Sequence, residues 1–160
     1  MHMDNDISRA RTDALVFLKR HKTAVLATSS LTGEPHASMV FYVADNNFGV
    51  HFITRIDSRK YEAIKANPHV ALTVATADIP QTLQIEGIAT DISQNNQISS
   101  MKPELFEVLQ SNHWFYAPIT KLDPSSPVEI RIEPTWIRWA DYAFEQDGNE
   151  HVFKEIPILG

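Results

Sequence analysis

The length and composition of the chain limit what it can be. Its 160 residues suit one domain, and 43% are hydrophobic and 21% charged, an ordinary globular mixture. The formal net charge of −6 argues against nucleic acid or an anionic membrane as the main partner, because both attract basic surfaces. The absence of cysteine excludes disulfides, thiolate metal sites and cysteine nucleophiles. With no signal-peptide pattern and no apolar membrane span, we expect a cytoplasmic protein with a single domain over residues 1–160.

The first half of the chain predicts a helix followed by three strands. The helix covers residues 7–21, starts at Asp6 or Ser8 as the cap, and packs one apolar face on the core. The strands are TAVLATS, HASMVFYVA and FGVHFIT, separated by the turns LTGEP and DNN. Gly33 supplies the positive φ that the first turn needs. Short strands joined by tight turns predict an antiparallel meander.

The next predicted elements are a short helix and two strands. The helix begins near Asp57 and ends at Asn67-Pro68, because proline cannot continue a helix. The strands are HVALTVAT and TLQIEGIATDI, and Gly87 marks a bulge or bend in the second of them.

The last third of the chain adds a helix and two more strands. The helix is PELFEVLQ, and the strands are VEIRI and TWIRWADYAF, which Pro134 separates. Six or more short strands with few helices predict a mainly β domain with flanking helices, built as an antiparallel barrel.

The segment SRK, residues 58–60, places two cations where the short helix begins. A helix N-terminus carries partial positive charge and favours acidic residues, so Arg59 and Lys60 are unfavourable there unless an anion joins them. The Ser58 hydroxyl, free backbone N–H groups and two cations suit a phosphate. A solvated pair of surface charges explains the residues equally well. Both side chains are expected to be exposed without a ligand.

No established catalytic motif occurs in the sequence. The histidines show no metal-binding spacing, and His51 and His69 fit strand positions. His113 is a candidate haem ligand or lid residue, although a surface loop is the favoured interpretation. Glu86 is either a buried acid or, as favoured, a residue on the barrel exterior. We therefore name no catalytic residue and no metal site.

Three segments occur in this order: AVLATSSLTGEPHASMVFYV, FITRIDSRKYEAIKANPHVALTV and TLQIEGIAT, and they run from about Lys22 to Ile92. Together they resemble the pyridoxamine 5′-phosphate oxidase-like flavoproteins, the FMN-binding split barrels. A weaker C-terminal match rests on IEPTWIRW. The resemblance implies an antiparallel split β-barrel that binds FMN at a homodimer interface.

The resemblance also implies which residues hold the cofactor. They are Ser38, Met39, Val40, Phe41, Ile53, Thr54, Ser58, Arg59, Lys60, Gln81, Thr82 and Trp139. In the family, the residues matching Arg59 and Lys60 bind the FMN phosphate, and the backbone matching residues 38–41 runs along the isoalloxazine ring. The residue matching Trp139 approaches the flavin from the partner subunit. Core or interface packing is the competing interpretation for Trp136 and Trp139.

The chain departs from the vitamin B6 oxidases of this family at the substrate side of the site. Ser38 and Val43 stand where those enzymes carry basic residues, and no arginine follows Trp139. A substrate phosphate would instead meet the acids Asp141, Glu145 and Asp147. We therefore expect an FMN-dependent oxidoreductase of unassigned substrate, with a nicotinamide cofactor as the candidate electron donor, and we doubt vitamin B6 oxidase activity.

Three alternatives stay open at this stage. One is a haem-handling split barrel that uses His113 or His151 as the iron ligand. The second is a non-catalytic flavin-binding sensor, and the third is a reductase that binds a deazaflavin in place of FMN. The aromatic stretch from Asn112 to Pro118 is a candidate pocket wall or lid, with packing into the barrel end as the favoured interpretation.

Overall fold

The computed structural model describes residues 2–93, 102–110, 127–143 and 152–159. In chain order the elements are α1 (His2–Arg20), β1 (Thr23–Ser29), β2 (Pro35–Ala44), β3 (Val50–Arg55), α2 (Arg59–Ala66), β4 (His69–Thr76), β5 (Gln81–Asp91), α3 (Pro103–Gln110), β6 (Pro127–Asp141) and β7 (Phe153–Glu155). Within these residues, no helix is long and apolar enough to cross a membrane.

The strands form a closed antiparallel barrel. Their order is β3-β2-β1-β4-β5-β6, and β6 also pairs with β3, which joins the two ends of the sheet. The strand β7 adds to the far end of β6. This architecture confirms the predicted mainly β split barrel with flanking helices.

The barrel interior follows from the alternation of apolar residues along the strands. Ala24 and Leu26 of β1 point inward while Val25 between them is half exposed. The helix α1 buries Phe17 and Leu18 against this core, and the Tyr42 hydroxyl donates to the Leu18 carbonyl oxygen at 2.7 Å. The aromatic and aliphatic interior therefore fixes α1 and the strands together.

Two predicted boundaries are wrong, each for a local reason. Helix α1 begins at His2, so neither Asp6 nor Ser8 caps it. Strand β3 begins at Val50 because Phe48 has a φ of 63° and the Asp45 carboxylate accepts the N–H group of Gly49 at 2.9 Å. This Asp45 contact belongs to the turn that precedes the strand.

Pro134 does not separate two strands, because β6 runs continuously from Pro127 to Asp141. The pairing of β5 with β6 shifts register between Glu86 and Gly87, and Pro134 lies opposite Gly87 at this bulge. A proline that lacks an N–H group is tolerated at a bulge. A Cβ on Gly87 would lie 2.4 Å from the Glu133 carbonyl oxygen, so this close approach requires glycine. The bulge predicted at Gly87 is confirmed.

A buried polar cluster holds β3 against β6 on the outer side of the barrel. His51 and Glu129 are each only 3% exposed, and His51 Nδ1 lies 3.1 Å from Glu129 Oε1. Asp45 lies 3.8 Å from His51 Nε2 and 3.5 Å from Arg131. The other carboxylate oxygen of Glu129 accepts the N–H group of Lys102, just before α3, which lies against β2 and β3. The cluster therefore anchors the start of α3.

The pKa of His51 is lowered below its ordinary value of 6.5. Burial is the main cause, the Lys102 and Arg131 charges act in the same direction, and the Glu129 carboxylate opposes them. As the pH falls, His51 is therefore protonated more readily in the unfolded chain than in the folded one. The free energy of unfolding keeps its full value above pH 6.5 and decreases as the pH drops toward the folded pKa. Thermal melting from pH 8 to pH 5 should show this loss.

The variant His51→Gln should remove the His51 contribution to this acid loss, since glutamine does not titrate. His69→Gln, at an exposed position of β4, is the matched control for replacing a strand histidine with glutamine. An unchanged slope in His51→Gln would assign the acid sensitivity to other groups.

Candidate cofactor site

The barrel is split between β2 and β3. The register of these two strands covers only Tyr42–Ala44 and Val50–Phe52, whereas on its other side the whole of β3, Val50–Arg55, pairs with β6. The segment Ser38–Phe41 of β2 therefore lies opposite the end of β3, outside this register. We call this opening, bounded by residues 38–41 and 53–55, the β2–β3 gap.

The pairing pattern determines which backbone groups face the β2–β3 gap. The N–H group of Tyr42 donates to the Lys22 carbonyl oxygen, on the side of β1. Because antiparallel strands alternate the direction of their backbone groups, Ser38 and Val40 also direct theirs toward β1. The N–H and C=O groups of Met39 therefore point into the gap. A planar ligand in the gap would meet these backbone donors and acceptors.

Helix α2 begins at one end of the β2–β3 gap. Ser58 is its N-cap, and the Ser58 Oγ accepts the N–H group of Tyr61 at 3.2 Å and lies 2.9 Å from the Thr54 Oγ1. The buried side chains of Tyr61 and Ile64 hold the helix on the core, and the Tyr61 hydroxyl donates to Asp91 at 2.8 Å. The first helical positions, Arg59 and Lys60, are thereby fixed beside the end of β3.

The positive charge at the start of α2 has no ion-pair partner in the part of the chain that the structure describes. Neither Arg59 nor Lys60 forms an ion pair there, and the nearby Asp57 carboxylate is bound by Arg55, which lowers its pKa. Arg59 is exposed as expected, but Lys60 is half-buried, and burial lowers the pKa of its ammonium group. A half-buried cation without an anion is costly, so the site favours an anionic ligand.

Two buried hydroxyl groups, one on β2 at the gap and one on the neighbouring strand β1, have no hydrogen-bond partner among the described residues. They are the Oγ of Ser38 and the Oγ1 of Thr28. Ser38 faces Leu26 across β2 and β1, so it lies on the barrel side of β2, and Thr28 lies two residues further along β1. Buried hydroxyls without a partner are uncommon and mark places where a ligand or water completes the bonding. Sequence analysis missed Thr28, because its strand position only suggests burial.

Gln81 and Thr82 lie on a different part of the barrel from the β2–β3 gap. Thr82 pairs with Ala140 of β6, whereas β3 pairs with Pro127–Ile132 of the same strand, so the two contacts lie at well-separated positions along β6. The Gln81 side-chain amide donates to Asp141 at 2.7 Å. The structure thus brings the predicted residues of β2, β3 and α2 together and leaves these two apart.

Of the two tryptophans on β6, Trp136 reaches the outer face and Trp139 does not. Trp139 is 4% exposed, and its ring centroid lies 4.9 Å from that of Phe17 in the core. Within this chain Trp139 therefore packs in the core. Its contact with a partner's flavin stays a prediction. Trp136 is half-buried, and the Arg138 guanidinium lies 5.5 Å from its ring centroid.

Several sequence predictions fall outside the described residues. These are the candidate ligands His113 and His151, the aromatic stretch 112–118, and the acids Glu145 and Asp147.

The chain forms an antiparallel barrel with a gap between two strands and a helix with cations at its start beside that gap. These features place it in the class of split-barrel proteins. The chain belongs to the pyridoxamine 5′-phosphate oxidase family, whose family model, described as pyridoxamine 5′-phosphate oxidase, matches residues 12–139. It is 33% identical over 136 residues to a pyridoxine/pyridoxamine 5′-phosphate oxidase of Actinobacillus pleuropneumoniae serotype 3, covering 78% of this chain and 65% of that protein. The chain thus spans about two thirds or less of the length of such curated relatives.

Solved structures share the fold. A crystal structure of a putative pyridoxamine 5′-phosphate oxidase from Listeria innocua is 25% identical, with a TM-score of 0.63 over 81% of this chain and 96% of that one. An F420 reductase is 24% identical, with a TM-score of 0.60 over 76% and 93%. An FMN-binding protein from Nostoc punctiforme is 16% identical, with a TM-score of 0.58 over 96% of both chains.

Proposed function

We propose that this chain is a flavoprotein that binds FMN in the β2–β3 gap and works as an oxidoreductase. The observation that carries the proposal is the half-buried Lys60, which with Arg59 leaves unpaired positive charge at the start of α2 beside the gap. A phosphate would satisfy this charge, and the family membership and the FMN-binding neighbour from Nostoc support a flavin as its carrier.

Different residues of the site would bind different parts of FMN. Ser58, Arg59 and Lys60 would bind the phosphate, and the backbone of the segment Ser38–Phe41 would run along the ring and orient it. The unpaired Ser38 hydroxyl offers one more polar contact on the barrel side of β2. When bound, FMN supplies hydride transfer at its N5 atom, while the protein supplies binding, orientation and exclusion of competing reactions.

The proposed site includes a second copy of the chain. On the outer face of the sheet, Met39 faces Val25, and Ala37 faces Ala27, which faces Ala71. Met39 is 53% and Val25 50% exposed, and the three alanines are exposed. Exposed apolar surface of this kind suits a protein interface. A twofold dimer through this face would let residues of β5 or β6, such as Thr82 or Trp136, approach the partner's gap, where within one chain they are remote.

The proposed substrate is not a vitamin B6 phosphate. The strand position of Ser38 carries no basic side chain, and no arginine follows Trp139, where the resemblance implies the grip on the substrate phosphate. The F420 reductase among the neighbours keeps a deazaflavin as the alternative cofactor, since the same cations would bind its phosphate. A nicotinamide cofactor is the proposed electron donor.

An absorption spectrum tests the proposal directly. We expect the purified, dialysed protein to retain flavin bands after FMN is added and the mixture is desalted, and we expect a nicotinamide donor to bleach them. Retention without bleaching would favour the non-catalytic sensor. Retention of F420 in place of FMN would favour the deazaflavin alternative, and a sharp haem band would favour the haem-handling alternative. Retention of no cofactor would overturn the proposed function.

A further inference from the structure

A cavity of about 250 Å³ opens between α2 and the turn that joins β1 to β2. One wall is the face of α2 that carries Arg59, Glu62, Ala63 and Ala66, which are spaced as neighbours on a helix. The opposite wall is formed by the turn segment, with Ser30, Glu34, Pro35 and His36. We call this cavity the α2 groove.

The α2 groove begins at the proposed phosphate site. Arg59 belongs to both the proposed phosphate site and the groove, because it follows the N-cap Ser58 and also lines the groove. A phosphate held at the start of α2 would therefore have the groove directly beside it. A phosphate monoester such as FMN would leave the groove empty, whereas a phosphate that carries a further group has room to place that group there.

The chemistry of the walls selects among such groups. The carboxylates of Glu34 and Glu62 accept no side-chain hydrogen bond within the described residues, and sugar hydroxyl groups are donors that match them. Ala63 and Ala66 present a flat, small apolar surface on which a planar base can lie. The same two carboxylates repel an anionic tail, so a cofactor extended by acidic residues fits poorly.

We propose that the α2 groove receives the nucleoside part of a flavin dinucleotide, so that the site accepts FAD as well as FMN. This inference rests on the proposed function, because it assumes that the phosphate next to the flavin ribityl chain lies at Ser58–Lys60. The second phosphate of the dinucleotide would lie beside Arg59, and the adenosine would extend from it along α2, with its ribose toward the two glutamates.

Titration of the full chain with FMN and with FAD, followed by flavin fluorescence, tests the inference. We expect FAD to bind the wild type at least as tightly as FMN. Ala63→Leu fills the groove with a good helix former, so it should weaken FAD about tenfold and change FMN less than about twofold. Glu62→Gln should weaken FAD about threefold or more through the lost ribose contact and leave FMN unchanged.

Glu104→Gln, in the exposed first turn of α3, is the matched control and should change neither affinity. If FMN binds and FAD binds more than about tenfold more weakly to the wild type, the inference is overturned while the proposed function stands. The same conclusion follows if Ala63→Leu weakens FMN and FAD equally. If neither flavin binds, the proposed function itself fails and this inference fails with it.

Discussion

The double variant Arg59→Ala/Lys60→Ala should bind FMN about 100-fold or more weakly than the wild type. Hydrogen bonds to a charged group are worth about 1.5–3 kcal/mol each, so losing two removes about 3 kcal/mol or more, at 1.4 kcal/mol per tenfold change. Of the two single variants, Lys60→Ala should have the larger effect, because a half-buried cation interacts with a phosphate through less water than the exposed Arg59.

The same double variant should not lose stability without the cofactor. Neither cation has an ion-pair partner in the described residues, and burial of the Lys60 charge opposes folding. The melting temperature of the cofactor-free variant should therefore equal or exceed that of the wild type. Lys22→Ala, an exposed cation between α1 and β1, is the control and should change neither property. Wild-type FMN affinity in the double variant would show that the phosphate binds elsewhere.

Most of the fold could be predicted from the sequence because its strands alternate strongly and its turns carry characteristic residues. The alternating residues of TAVLATS and the positive φ of Gly33 are both observed. The boundaries at His2 and Val50 could not be predicted, because they depend on contacts made only in three dimensions. The Asp45 carboxylate, for example, organises the turn before β3 through hydrogen bonds to Asn47 and Gly49.

Part of the candidate site could likewise be predicted from the sequence, and part of it could not. The motif Ser58-Arg59-Lys60 was visible because adjacent cations at a helix start conflict with the helix dipole. The burial of Lys60 was not visible, since it depends on how α2 lies against the barrel. The inward and outward faces of β6 also could not be predicted, because the bulge opposite Gly87 inverts the alternation. Ile130 and Ile132 point inward before it, and Trp139 points inward after it.

The variant Glu129→Ala should lower the free energy of unfolding by about 3 kcal/mol. The Glu129 carboxylate is buried, and it lies within hydrogen-bond distance of His51 Nδ1 at 3.1 Å and of the Lys102 N–H group at 3.2 Å. A buried donor left without an acceptor costs about 1–3 kcal/mol, and alanine leaves His51 Nδ1 in this state and also removes the acceptor of the part-buried Lys102 N–H group. Urea or thermal denaturation at pH 7.5 measures the loss.

The exposed Glu133, further along β6, supplies the matched control. Glu133→Ala should change stability by less than about 0.5 kcal/mol, since its partner Arg131 is also accessible to water. Glu129→Gln keeps one acceptor and the side-chain shape. Its loss of unfolding free energy should therefore fall between those of Glu129→Ala and Glu133→Ala. Equal stability of Glu129→Ala and Glu133→Ala would mean that the buried cluster does not hold β3 and α3 in place.

The Glu129 and Lys60 variants separate the stability of the barrel from its proposed function. Glu129 faces Ile53 across β3 and β6, so it supports the end of β3 that borders the β2–β3 gap without belonging to the proposed phosphate site. At a temperature where the variant remains folded, Glu129→Ala should therefore weaken FMN binding much less than Lys60→Ala does. An FMN loss in Glu129→Ala as large as in Lys60→Ala would place the flavin on the β3–β6 side instead. We expect Lys60→Ala to fold stably and to bind FMN weakly. This result would show that the Lys60 charge opposes folding and is kept because it binds the ligand.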